Sequence, residues 1–144
     1  MPELTLAAAQ TIVVTALKLA REKDMKPLAV VVLDARGALK AAAVEDGTSL
    51  KRAEIATGKA YGALALGAGS RALAKRAVEQ PHFIAAASHA IGGMLIPAPG
   101  GVLIRDKNGA LLGAVGVSGD TSDNDELAAL AGIDAAGLVG DTGA

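Results

Sequence analysis

The sequence predicts an α+β fold: a single domain with a central, mainly antiparallel five-stranded sheet and helices on both faces. Three observations predict it. Two pairs of short β-rich runs are each joined by a tight polar turn, which is the pattern of hairpins rather than of crossovers. The helical stretches come in separate blocks between them instead of alternating strand by strand. Finally, neither G-x-G-x-x-G nor G-x-x-x-x-G-K-[ST] occurs, so the parallel dinucleotide-binding and P-loop architectures lack their motifs.

The elements follow in order. Residues 5–23 form a helix capped by Thr5, with Leu6, Ala9, Val13, Ala16, Leu17 and Ala20 on one face and Lys18, Arg21 and Glu22 elsewhere. Leu28–Leu33 is a strand, Asp34–Gly37 a turn, and Leu39–Val44 the returning strand, closed by Glu45-Asp-Gly47. A second helix spans 49–66, with Ala53, Ala56, Ala60, Ala63 and Leu64 on one face. Small residues at that spacing admit close contact with a sheet or a neighbouring subunit. Gly67-Ala-Gly69 breaks it, and Ser70 caps a third helix at 71–79 that Pro81 stops. Residues 82–90 give no decided pattern, with a helical turn the reading they allow, and Met94–Ile96 reads as a short strand. Gly101–Arg105 and Ala110–Ser118 form the second hairpin across Asp106-Lys-Asn-Gly109, whose Asn-Gly supplies positive φ. The last helix covers 122–136, giving the order α-β-β-α-α-β-β-β-α over residues 1–144, with no repeat and no linker.

Composition excludes several functions. The chain has 144 residues, enough to bury a core without metal or disulfide staples. It is 51% hydrophobic but only 1% aromatic, Tyr61 and Phe83, so side-chain bulk is low and elements must pack closely. Such a chain is expected to complete its burial by self-association. A net charge of −1 and almost no stacking groups argue against nucleic acid. Without cysteine there is no disulfide, thiolate nucleophile or Cys metal site, and no metal site is expected. Residues 80–104 carry no Asp, Glu, Lys or Arg, but Pro81, Pro97, Pro99 and four glycines interrupt them, so they do not form a membrane helix. With acidic Glu3 and no basic leader, the N-terminus does not read as a signal peptide, and a cytoplasmic location is expected.

Candidate chemistry concentrates in few residues. His82 and His89, seven apart, would share a helix face, as axial haem ligands, as proton carriers, or simply as hydrogen-bonded loop residues. Gly113, Gly116 and Gly119 leave room beside the last long strand for a backbone or a flat ligand. Ser122-x-x-Asp125 has the spacing of a capping box; alternatively Asp125 is a carboxylate aimed across the Ser118-Gly119 turn at a ligand. Asp120, Asp123, Asp125 and Glu126 crowd that helix start and would repel phosphate. Lys59, one turn after Arg52-x-x-Ile55, is either a surface ion-pairing lysine or a partner for a ligand carboxylate. Ser118 is no hydrolase nucleophile, because Asp120 stands where the elbow requires glycine.

In order along the chain, Leu4-Thr5-Leu6, Val31-Val-Leu-Asp34-Ala-x-Gly37, Ile55-Ala-x-x-Lys59-Ala60, Gly92-Gly93, and Gly113-Ala-Val-Gly-Val-Ser-Gly119 with Asp125 and Ala131-Gly132 resemble the GlcG/HbpS family, also found as the C-terminal domain of PduO-type proteins. The resemblance spans residues 4 to about 137 and implies a compact domain that self-assembles, often into octamers. It also implies haem binding in some members, with links to haem degradation, iron sensing or cobalamin metabolism. Two functions follow as expectations. The first is an oligomeric tetrapyrrole-binding protein, its cofactor held by His89 and His82 with Gly92, Gly93, Gly116 and Ser118, in an apolar pocket between the sheet and residues 80–93. The alternative is an isomerase, lyase or hydrolase acting on a carboxylated catabolic intermediate in the same pocket, with His89 as acid/base and Lys59 or Asp125 binding the carboxylate.

Overall fold

The sheet is antiparallel at every pairing, and its central strands are covered on both faces while the edge strand Leu39–Val44 is largely exposed. The computed structural model describes residues 2–144. Its elements are α1 (Leu6–Glu22), β1 (Ala29–Asp34), β2 (Leu39–Val44), α2 (Arg52–Leu66), α3 (Ser70–Glu79), α4 (Pro81–Ala90), β3 (Gly101–Arg105), β4 (Leu111–Ser118), α5 (Ser122–Ala135) and β5 (Val139–Asp141). Strand order is β2-β1-β4-β3-β5. The two expected hairpins, β1–β2 and β3–β4, are joined at the centre by β1 pairing with β4, from Ala29 opposite Ser118 to Asp34 opposite Gly113.

Alternation along the central strands divides the core in two. Val30, Val32, Val102, Ile104, Val115 and Val117 point to the face covered by α1 and α5, where they meet Ile12, Ala16, Ala129 and Ile133. Ala29, Val31, Leu33, Leu103 and Ala114 point to the other face, against Ala56, Ala60 and Ala63 of α2. Coverage on both faces explains why β1 reads as one apolar run rather than as an alternation. Thr5 caps α1 as expected, its hydroxyl accepting the Ala8 N–H at 3.1 Å.

The small-residue face of α2 is turned to its own sheet. A Cβ on Gly116 would stand 1.8 Å from the Ala56 carbonyl oxygen, and one on Gly101 would stand 2.3 Å from the Lys59 carbonyl oxygen. These glycines let the helix backbone lie directly on the strands, so the Ala53–Ala63 stripe is used inside the subunit.

Three local expectations are corrected. Residues 82–90, undecided in the sequence beyond a helical turn, are the body of a full helix, α4, with Pro81 in its first turn, where a missing N–H costs nothing. Met94–Ile96 is not a strand. Pro97 and Pro99 offer no ladder donors, and the segment lies along α2 instead, with Leu95 against Gly62 and Ile96 against Gly58. The fifth strand is β5, an edge strand on β3. Likewise Ser70 is not a cap: Gly69 holds that position, and the Ser70 hydroxyl accepts the Gly101 N–H at 2.7 Å.

Gly116→Ala should lower stability by roughly 3 kcal/mol or more, at the top of the overpacking range, because the obstructing atom is backbone. Thermal or urea unfolding checks this, and an unchanged midpoint would contradict the close approach of α2 to β4.

Candidate functional site

The residues singled out in the sequence fall into two groups. Lys59, Ser118, Gly116 and Asp125 come together beneath α2, at the end of β4. His82, His89, Gly92 and Gly93 lie on α4 and the turn after it.

The first group is interior. Lys59 is 3% exposed and Asp125 1%. The Lys59 ammonium donates to Asp125 Oδ2 at 3.0 Å and to the Val117 carbonyl at 2.9 Å. The other carboxylate oxygen of Asp125 accepts the Asp120 N–H at 3.0 Å. Burial pushes the Asp125 carboxyl up and the Lys59 ammonium down, and their mutual attraction opposes both shifts. Neither side chain has a free face for a substrate. Lys59 is therefore not a surface residue, and Asp125 does not complete a capping box. Thr121 is the cap of α5, accepting the Asn124 N–H at 3.2 Å, which puts Asp125 one residue past the box position. Ser118 is buried and its Oγ accepts from Arg52 Nη1 at 3.2 Å. Sequence reasoning used Arg52 only as a marker. Its position seven residues before Lys59, two turns up the same face of α2, is the signal that would have found it.

The second group is exterior. Both histidines are exposed on α4. The expectation of an apolar pocket between the sheet and 80–93 is corrected: α4 rests on α3, through Leu73, Ile84, Ala87 and Leu95, while α2 fills the space over the sheet. The lack of charge in 80–104 reflects burial of Leu95 and of β3, and not burial of His89. Seven residues on a helix is nearly two turns, so His82 and His89 share one side of α4, about 10 Å apart along its axis. Phe83 (41% exposed) and Met94 are apolar and open nearby in sequence. Gly92 and Gly93 have φ of 91° and 90°, and a side chain on either would meet nothing within 4 Å. The Gly92 N–H bonds the His89 carbonyl at 3.1 Å, which ties this open glycine turn to the end of α4. The Arg76 guanidinium lies 3.8 Å from the centre of the Phe83 ring.

The model of the HbpS-like family, described as haem degrading protein HbpS-like, matches residues 4–134. The chain belongs to this family. Solved structures agree. HbpS of Streptomyces reticuli, as a double mutant, superposes with a TM-score of 0.79 at 27% identity, over 93% of this chain and 87% of that one. The Klebsiella pneumoniae protein ORFY gives 0.84 at 26%, over 95% and 93%. A PduOC–haem complex gives 0.85 at 22%, over 96% and 98%. No curated relative matches in sequence. Among the described residues, no helix is long and apolar enough to cross a membrane.

Two predictions follow from the interior group. Lys59→Met should cost roughly 3–5 kcal/mol, because it strands a buried carboxylate. Adding Asp125→Asn, which keeps an acceptor for the Asp120 N–H, should recover much of that loss. Urea unfolding of the single and double variants checks the coupling, and strictly additive losses would refute it. The second concerns acid. The Lys26 N–H, then the Asn124 amide, hold the Asp120 carboxyl down from 3.8 to about 2. A lowered folded-state pKa stabilises the fold above the unfolded value and is lost as pH falls through the folded one. Wild type should thus lose stability between 3.8 and about 2 more steeply than Asp120→Asn. Unfolding midpoints measured across that range decide it, with parallel curves the contrary outcome.

Proposed function

We propose that the chain is a haem-binding protein of the HbpS type, with the tetrapyrrole held on the outer side of α4. The observation that carries this reading is the family match over nearly the whole chain. The solved relative in complex with haem has the same fold, which supports it.

The donor chemistry on α4 fits the group. His89 offers an exposed imidazole, the commonest protein ligand for haem iron. Phe83 and Met94 offer apolar surface, and the open Gly92–Gly93 turn lets a flat ring approach the backbone. Arg76, held over Phe83, supplies positive charge for a propionate. His89 is preferred to His82 as ligand because it adjoins that turn. When bound, haem would supply redox-active iron. The chain's part is to donate the imidazole, orient the ring and screen it from water.

A ligand on this exterior helix would be half exposed on one subunit. Self-assembly over α4 would cover it, which agrees with the homo-oligomer expected from composition. The enzymatic alternative is weaker, since Lys59 and Asp125 bind each other in the interior and are not offered to a carboxylated substrate.

Hemin titration followed by visible spectroscopy tests the reading. Wild type should give a discrete Soret band. His89→Ala should shift that band and weaken binding at least tenfold, and His82→Ala should do little. Spectra unchanged in both variants would contradict imidazole ligation.

A further inference from the structure

A second site lies at the opposite end of α2 from the loop that follows it, in a cleft that the haem reading does not use. The cleft holds about 200 Å³ and is lined by Lys26, Thr48, Ser49, Arg52 and Gly119, among others. That is below the ~300 Å³ at which pockets for drug-sized molecules begin, so a macrocycle is excluded and a small group fits.

Its chemistry is that of an oxyanion site. Arg52 is half-buried and, among the described residues, forms no ion pair. Two neutral acceptors aim its guanidinium: Nε donates to Ser49 Oγ at 3.3 Å and Nη1 to Ser118 Oγ at 3.2 Å. Those bonds fix the fork without matching its charge, and a guanidinium has five N–H donors. Of the acids nearby, Asp125 is matched by Lys59. Asp120 is ionised, accepts the Lys26 N–H at 2.8 Å and the Asn124 amide at 2.7 Å, and faces the Lys26 ammonium rather than Arg52. The cleft also adjoins the start of α2, whose N-cap residue Lys51 provides no side-chain cap. The Arg52 N–H donates to the Ser49 carbonyl at 3.3 Å and Glu54 in the first turn pairs with Lys51 at 3.6 Å, so the helix dipole adds only modestly to the field of Arg52. The start of α2 thus carries one acid, Glu54, balanced by Lys51, whereas Asp120, Asp123, Asp125 and Glu126 crowd the start of α5.

We propose that this cleft binds the phosphate or carboxylate end of a small metabolite, held by Arg52 and Lys26 with the hydroxyl of Ser49, whose proton is free because its oxygen accepts from Arg52. Arg52 is the bidentate partner and Lys26 a point charge at the mouth.

Amide NMR titration of the haem-free protein tests it, with sodium phosphate in one arm and sodium acetate in the other, at constant ionic strength. The expected result is a saturable shift of the amides from Ser49 to Glu54 and of Gly119 in at least one arm. Phosphate alone would assign a phosphate ester, and acetate alone a carboxylic acid. Arg52→Gln should weaken binding at least tenfold, and Lys26→Gln about threefold. Lys107→Gln, on the distant β3–β4 turn, should leave it unchanged. If Arg52→Gln does not fold, Lys26→Gln carries the same test. No saturable shift in either arm, shifts scattered over other surface lysines, or unchanged affinity in both cleft variants would overturn the proposal.

Discussion

The ion pair between Lys59 and Asp125 is the interaction around which the rest of the structure is arranged. It joins α2 to α5 past the end of β4, and its third member is a backbone carbonyl of β4 itself. A pair this buried is tolerated only where its remaining polar atoms are satisfied, and here Val117 and Asp120 supply the partners. It also requires proximity. Lys59 reaches Asp125 because α2 lies directly on the sheet, which Gly116 and Gly101 permit by having no side chain. A Cβ on Gly100 would stand 2.9 Å from the ammonium itself. With one Phe and one Tyr, the chain has little bulk to fill gaps. Close approach of backbones is its means of excluding water, and the ion pair fixes where that approach occurs.

How much of this the sequence disclosed depended on the range of the interaction. The hairpins were legible because their signals are local: Asn108-Gly109 makes its own turn, and β1 is a continuous run of Val and Leu. The glycine spacing in β4 announced a close approach but could not name the partner, which is the Ala56 carbonyl on a helix some 60 residues earlier. α4 was hard to see because Pro81 ends one helix and begins the next, and a proline signals both. β5 was invisible because Val-Gly-Asp has no alternation and pairs only with the far edge of β3.

The candidate site divides along the same line. In the sequence Lys59 reads as a surface lysine or a carboxylate partner and Asp125 as one of several acids at a helix start, yet the structure places them in each other's company in the interior. His82, His89 and the Gly92–Gly93 turn lie outside, on and after α4, and Arg52 lines a cleft at the start of α2. Absence of charge in 80–104 suggested burial of His89. The run is uncharged because its alternate parts, Ile84, Ala87, Leu95 and β3, enter the core, while His89 falls between them on a helix that only half enters it. The proposed tetrapyrrole site is placed on the exterior helix because the interior is closed by its own ion pair.

Hydrogen–deuterium exchange with and without hemin tests this account most directly. It predicts that added hemin protects residues 81–94, while exchange in α2, β4 and α5 around Lys59 and Asp125 stays as it was. Protection centred instead on the strands beneath α2, with 81–94 unaffected, would contradict it.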